Sequence, residues 1–299
     1  MNTLKNIESA FISDYKNSEK YRLSFNDLAS KVFGINFENW YREGFWNERY
    51  VCYSFADGGM VVSNVSANMM DLTLGGEIKK AVQIGTVMTH PDYRGMGLSS
   101  KLMNIVLSEY TSKCDFIYLF ANESAYSFYP GFGFGEARES SFSFEPESCR
   151  GESALNWRKL DIKNVKDLEI LKRLAAGRAP VSAKLGVAKD SHLIMFYCLN
   201  FYSDDIYYIP RADTAVICRI ENGALYIYDV LFETACDTAS VLNAAIGNSG
   251  AHKVIFMFTP DLFASGLKGI CEEKDYKLFV RPREQNFPRE FTFPRLSHA

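Results

Sequence analysis

The hydrophobic and polar positions in the first half of the chain predict helices first and strands after them. In the charged opening segment, Leu4, Ile7, Phe11 and Ile12 recur at helical spacing, so we expect an amphipathic helix there. The elements expected next are a helix over 24–33 capped by Ser24, a short helix over 37–46, strands over 49–56, 60–66, 69–75 and 81–89, a helix after residue 97, a strand over 116–120, a short helix over 124–129 and a strand over 136–144. This order predicts a mixed sheet flanked by helices in one α/β domain.

The second half of the chain repeats the alternation of helices and strands. A polar, proline-containing segment at 145–153 comes first and is typical of a linker. The expected elements are helices over 165–176, 190–201 and 237–246, and strands over 206–209, 214–220, 225–232, 254–258 and 276–280. Because the strand–helix–strand order of 225–258 matches that of 82–120, we expect a duplicated fold with domains at 1–145 and 153–299.

Length and charge restrict the class of protein. The chain has 299 residues, enough for two domains, and its 33 basic and 36 acidic residues give a formal net charge of −3. Proteins that bind nucleic acid or a membrane surface usually carry a basic excess or a polybasic face. The charged N-terminus also lacks the hydrophobic core of a signal peptide. We therefore expect a cytoplasmic protein that binds neither nucleic acid nor membranes, with a homo-oligomer left open.

The cysteines and histidines show no spacing typical of a metal site. The seven cysteines are an odd number and are dispersed, and the four histidines are dispersed as well. Such cysteines are usually buried thiols in a reducing compartment. We expect no metal.

The stretch TVMTHPDYRGMGLSSK, residues 86–101, carries the clearest chemical signal. A strand ends, a loop containing Gly95 and Gly97 follows, and a helix begins at once. Glycines allow the backbone to approach a ligand closely, and the free N–H groups of the first helical turn point toward the same place. This arrangement favours the binding of an anion such as a pyrophosphate.

Three other interpretations of this loop compete with a coenzyme site. A helix-capping loop that contains glycine is common and needs no ligand. The dinucleotide-binding pattern needs a third glycine where Ser100 stands and an acidic residue where Phe120 ends the next strand. The phosphate loop of nucleoside triphosphatases needs a Gly-Lys-Ser/Thr sequence, which is absent.

Two motifs together resemble the Gcn5-related N-acetyltransferase (GNAT) superfamily. Arg94, Gly97 and Ser99 match its Arg-x-x-Gly-x-Gly/Ala coenzyme A motif, with serine as the last small residue. The segment NESAYSFYPGFGF matches its Asn-x-x-Ala-x-x-x-Tyr…Gly-Phe signature through Asn122, Ala125, Tyr129, Gly133 and Phe134, directly after the apolar strand 116–120. The resemblance implies a GNAT fold for the first domain.

The segments THPDYRGMGLSSKLM and FYPGFGFG further resemble the enhanced-intracellular-survival (Eis) branch of that superfamily. Its members join two GNAT-like domains, of which only the first binds acetyl-CoA, and usually add a sterol-carrier-like third domain. The expected fold class is therefore α/β with two tandem GNAT domains, the second degenerate and without a coenzyme loop, and no third domain. In that branch the terminal carboxylate is thought to reach the active site. Here it would belong to Ala299, and we do not carry this role over.

The resemblance also implies the co-substrate and its contacts. Acetyl-CoA would lie between two splayed strands, its pantetheine arm paired with the backbone of 87–89. The residues expected to bind it are Val87, Met88, Thr89, Arg94, Gly95, Met96, Gly97, Leu98, Ser99, Ser100, Asn122, Ser124 and Ala125. Tyr129 is the catalytic residue that the family implies, as the acid that protonates the leaving thiolate, because a phenol stays protonated at neutral pH.

The general base is not assigned by the sequence. Glu123, Asp71 and Glu77 are weak candidates because surface carboxylates are common, and His90 and Asp92 are better explained as turn residues. An aromatic wall for the acceptor could come from Trp40, Tyr41 and Trp46, although core packing is the commoner role of such residues. The second domain would form the opposite wall of the acceptor cleft.

The leading functional hypothesis is an acetyl-CoA-dependent N-acetyltransferase that acts on a primary amine of a small molecule or peptide. The rival from another class is a non-catalytic acyl-CoA-binding sensor. A third hypothesis, aminoacyl transfer from charged RNA, is disfavoured by the intact coenzyme loop and by the absence of a basic excess.

Overall fold

Two mixed β-sheets organise the computed structural model, which describes residues 10–146, 155–233, 236–272 and 274–299. The strands are β1 (Ala10–Ser13), β2 (Tyr50–Asp57), β3 (Met60–Leu74), β4 (Glu77–Thr89), β5 (Phe116–Asn122), β6 (Gly135–Ala137), β7 (Ser140–Phe144), β8 (Arg158–Lys159), β9 (Leu185–Ala188), β10 (Ile206–Ile209), β11 (Thr214–Glu221), β12 (Ala224–Leu231), β13 (Lys253–Phe256), β14 (Ile270–Cys271) and β15 (Tyr276–Arg281). The helices are α1 (Glu19–Phe33), α2 (Glu38–Arg42), α3 (Leu98–Tyr110), α4 (Val165–Gly177), α5 (Ser191–Asn200) and α6 (Thr238–Ser249).

The first sheet has the strand order β1-β2-β3-β4-β5-β15-β6, with β9 paired to the far end of β3. Helix α3 covers one face of this sheet through Leu102, Met103 and Val106. Helices α1 and α2 cover the other face with an aromatic cluster around Phe25 and Trp40. The site described below therefore lies in a sheet that is covered on both faces.

The second sheet has the order β14-β7-β13-β12-β11-β10-β8. Helix α6 packs on one face around Val241 and Ala245, and helices α4 and α5 pack on the other around Leu171 and Ile194. Each half of the chain thus supplies a sheet sandwiched by helices. Together with the parallel β12–β13 pair, this confirms the expected α/β class, with one helix-covered mixed sheet centred in each half of the chain.

The two halves exchange strands. Strand β7 leaves the first sheet and pairs with β13 of the second, with Phe142 opposite Phe256. Strand β15 runs back from the second half and inserts between β5 and β6, where Leu278 pairs with Phe120 on one side and Ala137 on the other. The division at 145/153 therefore describes the order along the chain but not the membership of the sheets.

A buried ion network supports the second half. The Arg178 guanidinium lies 3.2 Å from Asp190 and 3.0 Å from Asp229, and all three side chains are fully buried. The Ser297 hydroxyl donates a hydrogen bond to Asp190 at 2.8 Å. Because an unpaired buried charge is costly, this network fixes the C-terminal segment against the second sheet.

Several element predictions need correction. Phe11 and Ile12 lie on strand β1, which pairs with β2, so the expected opening helix is wrong for these residues; Leu4 and Ile7 lie outside the described residues. The strands expected over 60–66 and 69–75 are one continuous strand, β3. In place of the single strand expected over 136–144 there are two strands, β6 and β7, because the chain crosses between the sheets near residue 138.

Three helices of the first half differ from their predicted ranges, and the short helix expected over 37–46 is α2 at Glu38–Arg42. Helix α1 begins five residues before Ser24, whose hydroxyl instead accepts a hydrogen bond from the Val61 N–H at 2.8 Å. The short helix expected over 124–129 is a pair of 3-10 turns, Glu123–Ala125 and Tyr129–Phe132. Of the expected linker, residues 147–153 lie outside the described part of the chain.

Candidate active site

A gap opens where β4 and β5 stop pairing. The two strands run parallel and paired from Ala81 opposite Phe116 to Ile84 opposite Leu119. Beyond that point β4 continues to Thr89 paired with β3, while β5 continues to Asn122 paired with β15. The edge of β4 over residues 87–89 therefore faces the gap with backbone groups that no strand of the described residues pairs.

Thr86 causes the change of direction in β4. Its φ of +46° is unusual for a β-branched residue, and the ladder between β3 and β4 shifts register opposite it, between Asn64 and Ser66. The Asn64 amide donates to the Thr86 carbonyl oxygen at 2.9 Å, and the Tyr50 hydroxyl bonds the Thr86 hydroxyl. These buried partners hold the strained backbone in place.

The glycine loop forms a cradle at one end of the gap. Gly95 and Gly97 have φ values of +77° and +71°, and a Cβ at either would meet nothing within 4 Å. Gly97 is the N-cap of α3, and no side chain caps the N–H groups of the first turn at Leu98, Ser99 and Ser100. Those donors and the positive end of the helix dipole therefore remain available to an anion.

Side chains fix this loop to the strand. The Thr89 hydroxyl lies 2.7 Å from the Ser99 hydroxyl and 2.9 Å from that of Ser63. Arg94 and Met96 are exposed, and the Arg94 Nε donates a long 3.4 Å bond to the Thr89 carbonyl oxygen. Leu98 is buried with Val62 and Tyr93, so it anchors the helix and can contact a ligand only through its backbone.

The second motif lines the opposite side of the gap. Asn122 ends β5, and the Ser124 hydroxyl donates to its side-chain oxygen at 2.7 Å. Ala125 follows on the first 3-10 turn and packs partly buried beside the core around α3. These three residues line the same cleft as Thr86 and Val87 of β4.

Tyr129 lies at the base of the gap. Its ring packs against Phe128, Phe134 and Phe279. Burial raises the pKa of the Tyr129 hydroxyl to about 12, and Tyr129 is one of the residues that line the cleft. The phenol is therefore protonated at neutral pH and is available to a molecule in the gap.

The gap widens into a cleft of about 680 Å³. The first half lines it with Trp40, Thr86, Val87, Asn122 and Tyr129, among others. The second half lines it with aromatic residues of α5 and its C-terminal end and with two arginines, namely Phe196, Tyr197, Phe201, Tyr202, Arg219 and Arg295. Both halves of the chain thus contribute walls to one cavity.

The C-terminal segment reaches the same cavity. The His298 ring stacks on Phe120 with 3.6 Å between centroids, and its carbonyl oxygen accepts a hydrogen bond from the Tyr197 hydroxyl at 2.8 Å. Ala299 lies against the backbone of β4, so that a Cβ added to Gly85 would come within 2.8 Å of its carbonyl carbon. Ala299 therefore lies in the cleft.

The carboxylates considered as bases lie elsewhere. Asp71 pairs with Arg49 at 2.8 Å, and Glu77 pairs with Lys79 at 2.6 Å at an exposed hairpin tip. Glu123 lines a separate groove that runs beside β15. His90 caps the turn at 91–93 by accepting from the Asp92 N–H, and Asp92 is exposed, so both are turn residues.

Of the three aromatic residues expected to form a wall, Trp40 alone lines the cleft. Its indole N–H donates to the His192 carbonyl oxygen at 2.6 Å, which joins α2 to α5. Trp46 is buried in the aromatic cluster, and the Tyr41 ring stacks on the Arg22 guanidinium at 3.9 Å. Core packing explains these two residues.

The described part of the chain contains no group of three or more side chains suited to hold a metal ion, and its described cysteines are free thiols. Among the same residues, no helix is both long and apolar enough to cross a membrane.

Sequence comparison identifies the first domain. Residues 16–137 match the family model described as an acetyltransferase (GNAT) domain. The splayed strands, the glycine cradle and the second motif all lie within this span, so this part of the chain is a GNAT domain of the acyltransferase class. A search of curated protein sequences found no match.

The likeness to solved structures extends over nearly the whole chain. A probable N-acyltransferase from Enterococcus faecalis is 18% identical, with a TM-score of 0.60 over 91% of this chain and 72% of that one. A GCN5-related N-acetyltransferase from Kribbella flavida is 18% identical, with a TM-score of 0.55 over 92% and 72%. Eis1 from Mycobacterium abscessus is 14% identical, with a TM-score of 0.55 over 91% and 73%. The two-domain fold of this chain is thus Eis-like.

Proposed function

We propose that this protein is an N-acetyltransferase that moves an acetyl group from acetyl-CoA to a primary amine of a small molecule or peptide by direct transfer. The observation that carries the proposal is the unpaired edge of β4, which lies between the α3 cradle and the Tyr129 hydroxyl. A pyrophosphate, an extended amide-containing arm and a thioester fit these three places in that order.

The chain's own groups suit each part of acetyl-CoA. The free N–H groups of residues 98–100 and the exposed Arg94 would hold the pyrophosphate. The backbone of residues 87–89 would pair with the pantetheine amides as an added strand does. A backbone N–H near the Thr86 kink would stabilise negative charge that develops on the acetyl oxygen.

Tyr129 is proposed as the acid. Its buried phenol keeps a proton at all pH values at which the enzyme would work, since burial raises its pKa to about 12. Its hydroxyl would donate that proton to the departing sulfur. The amine must attack while neutral, and Asp71, Glu77 and Glu123 lie outside the cleft, so water in the cleft is the simplest route for its proton.

The test is thiol release from acetyl-CoA in the presence of a panel of primary amines, with mass spectrometry of the products. Acetylated amine formed in proportion to released thiol supports the proposal. Saturable acetyl-CoA binding without turnover of any amine would contradict it and support the non-catalytic sensor instead.

A further inference from the structure

The described side chains that line the acceptor cleft include basic residues but no acidic ones. Among the described residues that line it, none is an aspartate or a glutamate, while Arg219 and Arg295 both are present. His298 is neutral, because burial lowers its pKa well below the usual value. The charged groups facing an acceptor are therefore Arg219, Arg295 and the terminal carboxylate of Ala299, set among aromatic, aliphatic and uncharged polar side chains.

Arg295 is the distinctive group. It is partly buried, it stacks on the Tyr276 ring at 4.8 Å, and no carboxylate within the described chain lies within 4 Å of its guanidinium. Glu139, a nearby acid, is instead held by Lys274 at 3.5 Å and by the Phe293 N–H at 2.8 Å. A guanidinium without an ion partner at the wall of a cavity is a ready site for an anion.

Arg219 differs from Arg295 because a neighbouring carboxylate neutralises its charge. Asp205 accepts from its Nη2 at 2.6 Å and from its Nε at 3.2 Å. The guanidinium also stacks on Tyr202 at 5.3 Å from the ring centroid. Arg219 therefore keeps a rigid orientation and adds hydrogen-bond donors to the wall, whereas Arg295 supplies the uncompensated charge.

We infer that the acceptor is an amine that also carries an anionic group, a carboxylate or a phosphate, on an aromatic or otherwise apolar body. The anion would pair with Arg295, the body would pack among Phe196, Tyr197 and Tyr202, and the amine would then face the gap beside Tyr129. This inference rests on the proposed acetyltransferase function and names the substrate class for the same cleft.

The same cleft is a poor match for polycationic amines. A polyamine would bring several positive charges toward two arginines, with the terminal carboxylate of Ala299 as the one anionic group among the described lining residues to receive them. Even at an effective dielectric constant of about 20, like charges a few ångström apart repel by several kcal/mol. The expected order of preference is therefore anionic aromatic amine, then neutral-bodied aromatic amine, then polyamine.

Steady-state kinetics with matched amines test this order. We expect kcat/KM with acetyl-CoA to be at least tenfold higher for 4-(aminomethyl)benzoate than for benzylamine, and spermidine to be the poorest of the three. Adding 4-(aminomethyl)benzylphosphonate to the set of amines shows whether a carboxylate or a phosphate group is preferred. Arg295→Gln should reduce the benzoate-to-benzylamine ratio at least tenfold, whereas Arg289→Gln, an exposed arginine outside the cleft, should leave the ratio unchanged.

A binding measurement separates this inference from the proposed function. Calorimetry with 4-(aminomethyl)benzoate, on protein saturated with coenzyme A, should give saturable binding that is lost in Arg295→Gln and kept in Arg289→Gln, whether or not any amine is acetylated. A failure of turnover with this binding intact would overturn only the acetyltransferase function. Turnover of benzylamine or spermidine at rates equal to or above that of the benzoate, or benzoate binding unaffected by Arg295→Gln, would overturn the inference.

Discussion

At the scale of single residues, Tyr129 is the side chain whose role is most sharply testable. Tyr129→Phe keeps the ring that packs on Phe134 and Phe279 but removes the proton. Because general acid catalysis typically contributes about 10²–10⁴-fold, we expect kcat to fall by at least about 30-fold with little change in coenzyme affinity. The measurement is single-turnover thiol release together with calorimetry of coenzyme A binding.

Tyr126→Phe is the matched control for that experiment. Tyr126 lies on the same segment but faces the groove beside β15 rather than the cleft. We expect its activity to match that of the unchanged protein. A Tyr129→Phe variant as fast as this control would remove Tyr129 from the mechanism.

His192 predicts how stability depends on pH. It is buried at the start of α5, its Nε2 lies 2.7 Å from the Asn68 side-chain oxygen, and burial lowers its pKa to about 4. In the unfolded chain its pKa is near the ordinary value of about 6.5. Its stabilising contribution is thus complete above about pH 6.5 and is lost as the pH falls toward 4, by about 3 kcal/mol in total.

The free energy of unfolding in urea, measured between pH 4 and 7.5, checks this prediction. His192→Gln removes the titrating ring, so the difference in stability between the two proteins should shrink as the pH falls. A difference that stays constant over this range would show that His192 does not titrate on unfolding.

The sequence predicts individual site residues correctly where a motif depends on a particular backbone conformation. Gly97 and Ser99 lie where the coenzyme motif requires a left-handed residue and a small helical residue, and their neighbours form the cradle. Arg295 and Tyr202 carry no such signal, because they reach the cleft only after the chain has folded back over the first sheet. Two other cleft residues that the sequence analysis missed, Phe196 and Tyr197 on α5, did have a cue, the dense aromatic run at residues 196–202.

At the scale of elements, the close approach of β4 and the C-terminal segment is the feature to perturb. Gly85 has an ordinary backbone conformation, so Gly85→Ala is not strained by its φ; the added methyl would meet Ala299 instead. We expect the C-terminal residues to be displaced from the cleft and kcat/KM for the amine to fall about tenfold or more, since small misplacements at an active site are costly. Coenzyme binding should change little.

Gly131→Ala offers the control, because that glycine has an ordinary φ as well and nothing lies within 4 Å of its added methyl. Kinetics of both variants with one amine and acetyl-CoA make the comparison. Equal activity of the two would show that the position of Ala299 is immaterial to turnover.

The errors in element prediction have one physical source. Phe11 and Ile12 satisfy a helical pattern, yet they form an edge strand because β2 offers unpaired backbone groups there. The break near residue 138 is invisible in the sequence for the same reason: which sheet receives β7 depends on the distant partner β13. Periodicity predicts an element, and tertiary pairing decides its neighbours.

At the scale of the whole molecule, the strand exchange makes the two halves interdependent. Without β15, strand β5 would lose its partner over residues 117–122 and the apolar residues Leu278 and Phe279 would leave the core. We expect a fragment of residues 1–145 to show no cooperative unfolding transition, since an uncovered central strand is prone to associate. The intact chain should unfold cooperatively in circular dichroism.

The complementary experiment expresses residues 146–299 together with the fragment of residues 1–145. If the exchange holds the halves together, the two fragments should copurify and recover a cooperative transition. A 1–145 fragment that is monomeric and melts cooperatively by itself would contradict the interdependence.

The central claim is that the α3 cradle binds the pyrophosphate of coenzyme A, and titration calorimetry with coenzyme A tests it most directly. We predict saturable one-site binding to the unchanged protein and at least a 100-fold loss of affinity in Gly97→Val, because a β-branched residue is strained at a φ of +71° and would shift the backbone N–H groups of the cradle. No saturable heat with the unchanged protein, or undiminished affinity in a folded Gly97→Val variant, would contradict the account.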